Sequence, residues 1–243
     1  MTDARRALRA SLAERLAAMR EVPVDRLPPE LLDVVVRRVG LPGPAGDVLL
    51  PRPADWEALR HAERAAGRPI PYWARLWPSG LALASVLAVA PPDRGSRVLE
   101  LGCGLGLPSI VAARAGARVT ATDGAPDAVA YAAHGLALNE VDAGVAQVDW
   151  AEDGDALAAH GPWDVVLAAD VLYTRANVET APRLVGRLVA PGGELRLADP
   201  DRAGARDFLA AARASFHVWT ERDGPVALHV LRHRAALRGG AAT

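Results

Sequence analysis

The stretch Val98-Leu-Glu-Leu-Gly-Cys-Gly-Leu-Gly-Leu-Pro108 constrains this chain more than any other. It reads as a buried strand over Arg97 to Leu101, a glycine turn, and the first turn of a helix. Gly102, Gly104 and Gly106 alternate with other residues, so the loop can take positive φ and let a ligand approach the bare backbone. Pro108 suits the first helical turn, where a missing N–H leaves no hydrogen bond unmade. A second strand, Ala117 to Thr122, ends in Asp123, some twenty residues beyond the turn. A glycine turn followed by a carboxylate at the next strand end is how a Rossmann-like fold grips a nucleoside, the carboxylate taking the ribose hydroxyls.

Spacing separates the possible ligands. A dinucleotide fingerprint G-x-G-x-x-G from Gly102 requires glycine at 107, where Leu107 stands; from Gly104 it requires glycine at 109, where Ser109 stands. The pattern present is E-x-G-x-G-x-G, with Glu100 two residues before the first glycine.

From residue 96 the chain alternates strand and helix. Strands are expected at 97–101, 117–122, 144–149, 164–169 and 194–199, with helices at 107–115, 125–138, 154–160 and 176–190. That alternation implies a parallel sheet covered on both faces. Two more strands, 216–220 and 225–232, flank Asp223-Gly224, a hairpin turn signal. The expected fold is therefore α/β: a Rossmann-like, doubly wound, mostly parallel seven-strand sheet ending in an antiparallel hairpin. Residues 1–68 read as an N-terminal helical extension, 69–235 as the main domain, and 236–243 as a flexible Gly/Ala-rich tail. Within the extension, Leu8, Leu12, Leu16 and Met19 fall at helical spacing. Leu31 to Val39 reads as a second short helix, residues 40 to 55 as a Pro/Gly-rich loop, and Trp56 to Ala66 as a helix. A further helix is expected over Gly80 to Ala90.

Composition narrows the class. A net charge of −1 over 243 residues argues against a nucleic-acid footprint. All of the 28 basic residues other than histidine are arginine, which reads as coding bias. The single cysteine, Cys103, excludes an internal disulfide and a thiolate metal cluster; it reads as a small residue suited to a crowded loop. The six histidines form no metal constellation. Charges run through the N-terminal helix, so no secretory signal is expected, and no apolar run reaches membrane-spanning length. The cytoplasm is the default location, and the oligomeric state stays open.

In an open α/β sheet, ligands sit beyond the carboxyl ends of the strands. Here each of the first five strand ends carries a carboxylate: Glu100 with its glycines, Asp123, Asp149 beside Trp150, Asp170-Val-Leu-Tyr173, and Asp199-Pro-Asp-Arg202. Asp149 and Trp150 suit an adenine, the carboxylate accepting from the exocyclic amine and the indole covering the ring. Ahead of the glycine turn stands Pro71-Tyr-Trp-Ala-Arg-Leu-Trp-Pro-Ser-Gly80. Trp73 and Trp77 either bury themselves or offer faces to a cation.

The glycine pattern resembles motif I of the class I S-adenosylmethionine-dependent methyltransferases. W-x-x-x-W-P-x-G, D-W after the third strand and D-x-x-Y after the fourth narrow the resemblance to the seven-strand lysine methyltransferases called methyltransferase family 16. Pro71-Tyr-Trp-Ala with Trp77-Pro, and Asp199-Pro-x-Arg202, look most like the electron transfer flavoprotein β-subunit lysine methyltransferases. The resemblance covers roughly residues 69 to 232. It implies S-adenosylmethionine as cofactor, held by Trp77, Glu100, Gly102, Gly104, Gly106, Asp123, Asp149 and Trp150. It implies a protein lysine as acceptor, with Asp170 and Tyr173 positioning the amine, Trp73 lining the lysine channel, and Asp199 and Arg202 completing the catalytic set. The flavoprotein β-subunit or a ribosomal protein is the expected partner. Two alternatives stand beside this: a small-amine or metabolite methyltransferase of the nicotinamide type, and a non-catalytic cofactor-binding subunit acting through its N-terminal helices.

Overall fold

The computed structural model describes residues 2–234; the expected tail at 236–243 lies outside the described residues. In chain order the elements are α1 (Thr2–Arg20), α2 (Pro29–Leu32), β1 (Val34–Gly40), β2 (Asp47–Pro53), α3 (Trp56–Ala65), α4 (Pro78–Val89), β3 (Arg97–Leu101), α5 (Leu107–Arg114), β4 (Arg118–Asp123), α6 (Pro126–Leu138), β5 (Gly144–Gln147), α7 (Trp150–Ala159), β6 (Trp163–Ala169), α8 (Arg175–Leu188), β7 (Val189–Asp199), α9 (Ala203–Ala212), β8 (Phe216–Asp223) and β9 (Val226–His233). A two-stranded antiparallel sheet, β1-β2, accompanies a seven-stranded sheet of order β5-β4-β3-β6-β7-β9-β8.

In the large sheet β5, β4, β3, β6 and β7 pair in parallel, and β9 runs antiparallel between β7 and β8. Strands buried on both faces favour apolar side chains, and Val98 to Leu101 and Val165 to Ala168 are buried without a break, Glu100 being the one ionisable residue among them. The chain leaves β3 toward β4 on one side and returns to β6 on the other. Between β3 and β6 lies the topological switch point, where the loops diverge and leave a crevice. The glycine turn after β3 and Asp170 after β6 flank that crevice.

One buried cluster gathers Leu83, Val98, Ile110 and Tyr131 together with Leu12, Leu16, Leu31 and Leu50 of the extension. The extension is thus packed into the core of the sheet domain. The Tyr131 hydroxyl donates to the Leu31 carbonyl at 2.7 Å, tying α6 to the end of α2. The other sheet face is filled by Leu99, Val166, Leu184, Phe208 and Phe216.

The extension is not wholly helical. The expected helix over Leu31 to Val39 ends at Leu32, and the expected loop over 40–55 contains β2. Three consecutive β-branched residues, Val34 to Val36, favour a pleated over a helical backbone. Pro51 and Pro53 suggested a loop, yet an edge strand tolerates proline because one row of its N–H groups has no partner to supply. Near the third strand end, β5 stops at Gln147 and Trp150 already begins α7. The Asp153 carboxylate reaches back to accept the Asp149 N–H at 2.8 Å, closing the first turn of α7. No helix among the described residues is long and apolar enough to cross a membrane.

Candidate functional site

Gly102, Gly104 and Gly106 all take positive φ, at 65°, 52° and 79°. A Cβ on Gly102 would stand 2.6 Å from Val171 Cγ1, and one on Gly104 would stand 3.2 Å from the Trp73 carbonyl oxygen. Bare backbone is therefore required at both places. Gly106 turns away from the crevice: a Cβ there would meet Ala132 of α6 at 3.2 Å, so this glycine allows close helix packing and starts α5.

Asp123 ties the loop to the end of β4. It accepts the Gly104 N–H and the Ala125 N–H, each at 2.9 Å. Burial raises its carboxyl above the usual range, while these two amides pull it back. Glu100 is 2% exposed and accepts both the backbone N–H of Ser109, at 3.0 Å, and the Ser109 hydroxyl. Burial pushes its carboxyl up to about 8 despite those bonds, with a smaller contribution from the nearby Asp123 charge. At neutral pH Glu100 is thus mostly protonated. Burial also drives the Cys103 thiol well above its ordinary value, which argues against a thiolate nucleophile.

After β6, Asp170 takes a left-handed φ of 61°, a conformation aspartate tolerates better than most residues. Its N–H donates to the Ala198 carbonyl at 3.0 Å, and its carboxylate receives Arg202 Nη1. Asp199 holds Arg202 in turn, accepting its N–H at 2.7 Å and its Nη1 at 3.4 Å. Asp199 is fully buried. Two successive strand ends are thereby joined as carboxylate, guanidinium and carboxylate.

An aromatic row borders this cluster. Tyr173 meets Tyr72 edge-on at 5.7 Å, and Tyr72 lies 6.2 Å from Trp77. Trp73 turns inward, with its ring 5.0 Å from the buried Tyr131. Both tryptophans line the cleft, but the aromatic ring beside Tyr173 belongs to Tyr72.

The outer wall comes from the extension. Arg20 at the end of α1 donates to Asp127 on α6, with Nε to Oδ1 at 2.7 Å, and to Glu63 on α3 at 3.1 Å. Arg68 donates twice more to Glu63, at 2.6 and 3.0 Å. Burial raises Glu63, but the bonds from Arg68 and Arg20 overcome it and leave the carboxyl below its usual value. The network joins α1, α3 and α6 across the cleft margin.

The resulting cleft has a volume of about 1040 Å³, at the upper end of the usual range for small-molecule sites. Its wall holds Trp73, Trp77, Glu100, Gly102, Gly104, Asp123, Asp149, Trp150, Asp170 and Tyr173. Of the sequence candidates, Gly106, Asp199 and Arg202 stand behind it. Sequence reading missed Tyr72, which sits within the same tryptophan-rich segment, and the Arg20-Asp127-Glu63-Arg68 network, which leaves no local signature.

Residues 73–210 match the family model described as Lysine methyltransferase. The chain is 32% identical over 142 residues to the electron transfer flavoprotein beta subunit lysine methyltransferase of Danio rerio, covering 57% of this chain and 54% of that protein. It is 38% identical over 126 residues to the ubiquinone biosynthesis O-methyltransferase of Xanthomonas oryzae pv. oryzae, covering 50% of each. The chain thus spans about half the length of these curated relatives. Among solved structures, the 16S rRNA N2 G1207 methyltransferase of T. Thermophilus, solved with AdoMet and guanosine, shares the fold. The TM-score is 0.61 at 18% identity, covering 83% of this chain and 51% of that one.

Proposed function

The chain belongs to the lysine methyltransferase family, and on that footing we propose that it is an S-adenosylmethionine-dependent N-methyltransferase acting on a lysine of a protein. The observation that carries the lysine reading is the Asp170 carboxylate, fixed by Arg202 and Asp199 beside the phenol of Tyr173 at the switch-point crevice.

The cleft suits the cofactor. The glycine loop offers bare backbone at Gly102 and Gly104, where any side chain would strike Val171 or Trp73. On this reading Asp123 takes the ribose hydroxyls, Asp149 and Trp150 frame the adenine, and Glu100 meets the methionine end, all four being residues of the cleft wall. When bound, S-adenosylmethionine supplies an electrophilic methyl carbon on a sulfonium.

The protein's own task is alignment and control of protonation. The attacking amine must be neutral: the lysine ammonium releases a proton to solvent before attack, and covering of the amine by Tyr72, Tyr173 and Trp77 once the acceptor is seated favours the neutral form. Asp170 draws the ammonium in by charge and orients the nitrogen. Held by Arg202, the Asp170 carboxylate offers the amine a hydrogen-bond acceptor of fixed direction. Arg202 and Asp199 are positioning residues, because both stand behind the cleft wall. The flavoprotein β-subunit is the leading acceptor and a ribosomal protein the next.

A metabolite methyltransferase is the second reading, favoured by the likeness to a ubiquinone biosynthesis O-methyltransferase. The two separate on Asp170→Ala assayed with methyl-labelled cofactor and dialysed lysate proteins. Protein labelling should fall at least a hundredfold while calorimetric cofactor affinity changes little. Equal loss of both would remove Asp170 from the acceptor side.

A further inference from the structure

Arg75 follows the turn Tyr72–Ala74 and stands apart from the groups above. Its guanidinium carbon lies over two indole rings, 4.7 Å from the centre of Trp56 and 4.8 Å from that of Trp77. Both rings are themselves fixed. Trp56 Nε1 donates to the Pro71 carbonyl at 3.0 Å, and Trp77 Nε1 donates to the Tyr72 carbonyl at 2.8 Å. Aromatic faces attract a cation but leave its in-plane N–H donors unused. Arg75 is exposed and lines the cleft; its backbone N–H donates to the Tyr72 carbonyl at 3.4 Å, but its guanidinium has no hydrogen bond or ion pair to another described residue.

The other cleft arginines differ. Arg20 and Arg68 are committed to Asp127 and Glu63. Arg26 has neither a carboxylate partner nor an aromatic mounting among the described residues. Arg75 alone, among the described residues of the cleft wall, is a guanidinium held in place with its donors open. Such mounting restricts the side chain before any partner arrives, and a planar fork of donors matches a carboxylate bidentately.

Its position selects the partner. The row Tyr173, Tyr72, Trp77 and Arg75 runs along the cleft wall in three contacts of 5.7, 6.2 and 4.8 Å. A lysine threaded to Tyr173 therefore carries its neighbours in sequence past Arg75, since each extended residue spans about 3.3 Å. The cofactor also bears a carboxylate, but Trp73, not Arg75, packs against Gly104 of the loop.

Resting on the protein-lysine reading above, we propose that Arg75 docks an acidic side chain that the acceptor carries within a few residues of its target lysine, so that lysines flanked by Asp or Glu are preferred. Acceptors without that acid leave the guanidinium hydrated and gain nothing from its mounting.

The test uses two nine-residue peptides with a central lysine, flanked on both sides by Asp in one and Asn in the other. The protein is saturated with S-adenosylhomocysteine, and the Arg75 Nε–H signal is assigned by its absence from Arg75→Lys. The Asp peptide should move that signal and the Asn peptide should not. In turnover, KM for the Asp peptide should be at least tenfold lower than for the Asn peptide, and Arg75→Gln should equalise them. Movement on adding S-adenosylhomocysteine alone would assign Arg75 to the cofactor. Equal movement by both peptides, or movement by neither, would overturn the proposal. Failure of the lysine reading is distinct: neither peptide would be methylated, while the titration would still report on Arg75.

Discussion

Replacing Glu100 with glutamine should preserve the fold and remove a pH dependence from its stability. The Gln carbonyl oxygen can accept the Ser109 N–H and hydroxyl that Glu100 Oε2 accepts now. The wild-type carboxyl has an ordinary value of 4.5 when the chain is unfolded and is raised to about 8 by burial in the fold. Below 4.5 both states are protonated, and the contribution to stability is fully present. Between 4.5 and about 8 the folded state holds one proton more, so stability declines as pH rises, by up to about 1.4 kcal/mol per pH unit. Above about 8 both states are ionised and the decline ends. Glutamine has no proton to lose, so its advantage over wild type should grow by roughly 2–3 kcal/mol from pH 6 to pH 8. The assay is urea unfolding of the cofactor-free protein at several pH values, followed by tryptophan fluorescence. The neighbouring Asp123 is present in both proteins, so its own titration largely cancels in the difference. Parallel stability curves, or a glutamine variant that loses ground as pH rises, would refute a protonated Glu100.

Asp123→Ala should weaken cofactor affinity by about 10- to 100-fold, as expected for loss of a charged hydrogen bond; unchanged calorimetric affinity in the folded variant would remove Asp123 from the site. Trp150→Ala should weaken S-adenosylmethionine and S-adenosylhomocysteine alike, because adenine is common to both; a loss confined to the methylated form would place the indole at the sulfonium instead. Arg20→Ala strands the buried carboxylate of Asp127 and leaves Glu63 to Arg68 alone, and should cost about 3–5 kcal/mol in urea unfolding at pH 7. Glu63 is held below its usual 4.5, so its stabilisation is present above that pH and lost as pH falls through the folded value; the gap between Arg20→Ala and wild type should close in acid.

Much of the site was legible because its signals are local. The turn after β3 shows itself through three alternating glycines, and Asp123 through its place at the next strand end. The parallel strands show as short apolar runs, and Asp223-Gly224 marks the β8-β9 turn. Where tertiary context decides, the sequence misleads. Val34 to Val36 fit a helical count of apolar positions, yet their branching suits the β1-β2 hairpin. Gly106 belongs to the alternating set by pattern but serves the packing of α5 on α6. Arg20 and Asp127 are 107 positions apart, and nothing near either residue signals the other. Tyr72 was overlooked beside two tryptophans, although only the folded chain shows which ring reaches Tyr173.

The most direct measurement incubates the purified protein with methyl-labelled S-adenosylmethionine and a lysate freed of small molecules, then locates the label by mass spectrometry. N-methylated lysine on a protein, lost in Asp170→Ala, is the predicted result. Label only on carboxylates or histidine, or label that appears only when the small amines are restored, would contradict the lysine assignment.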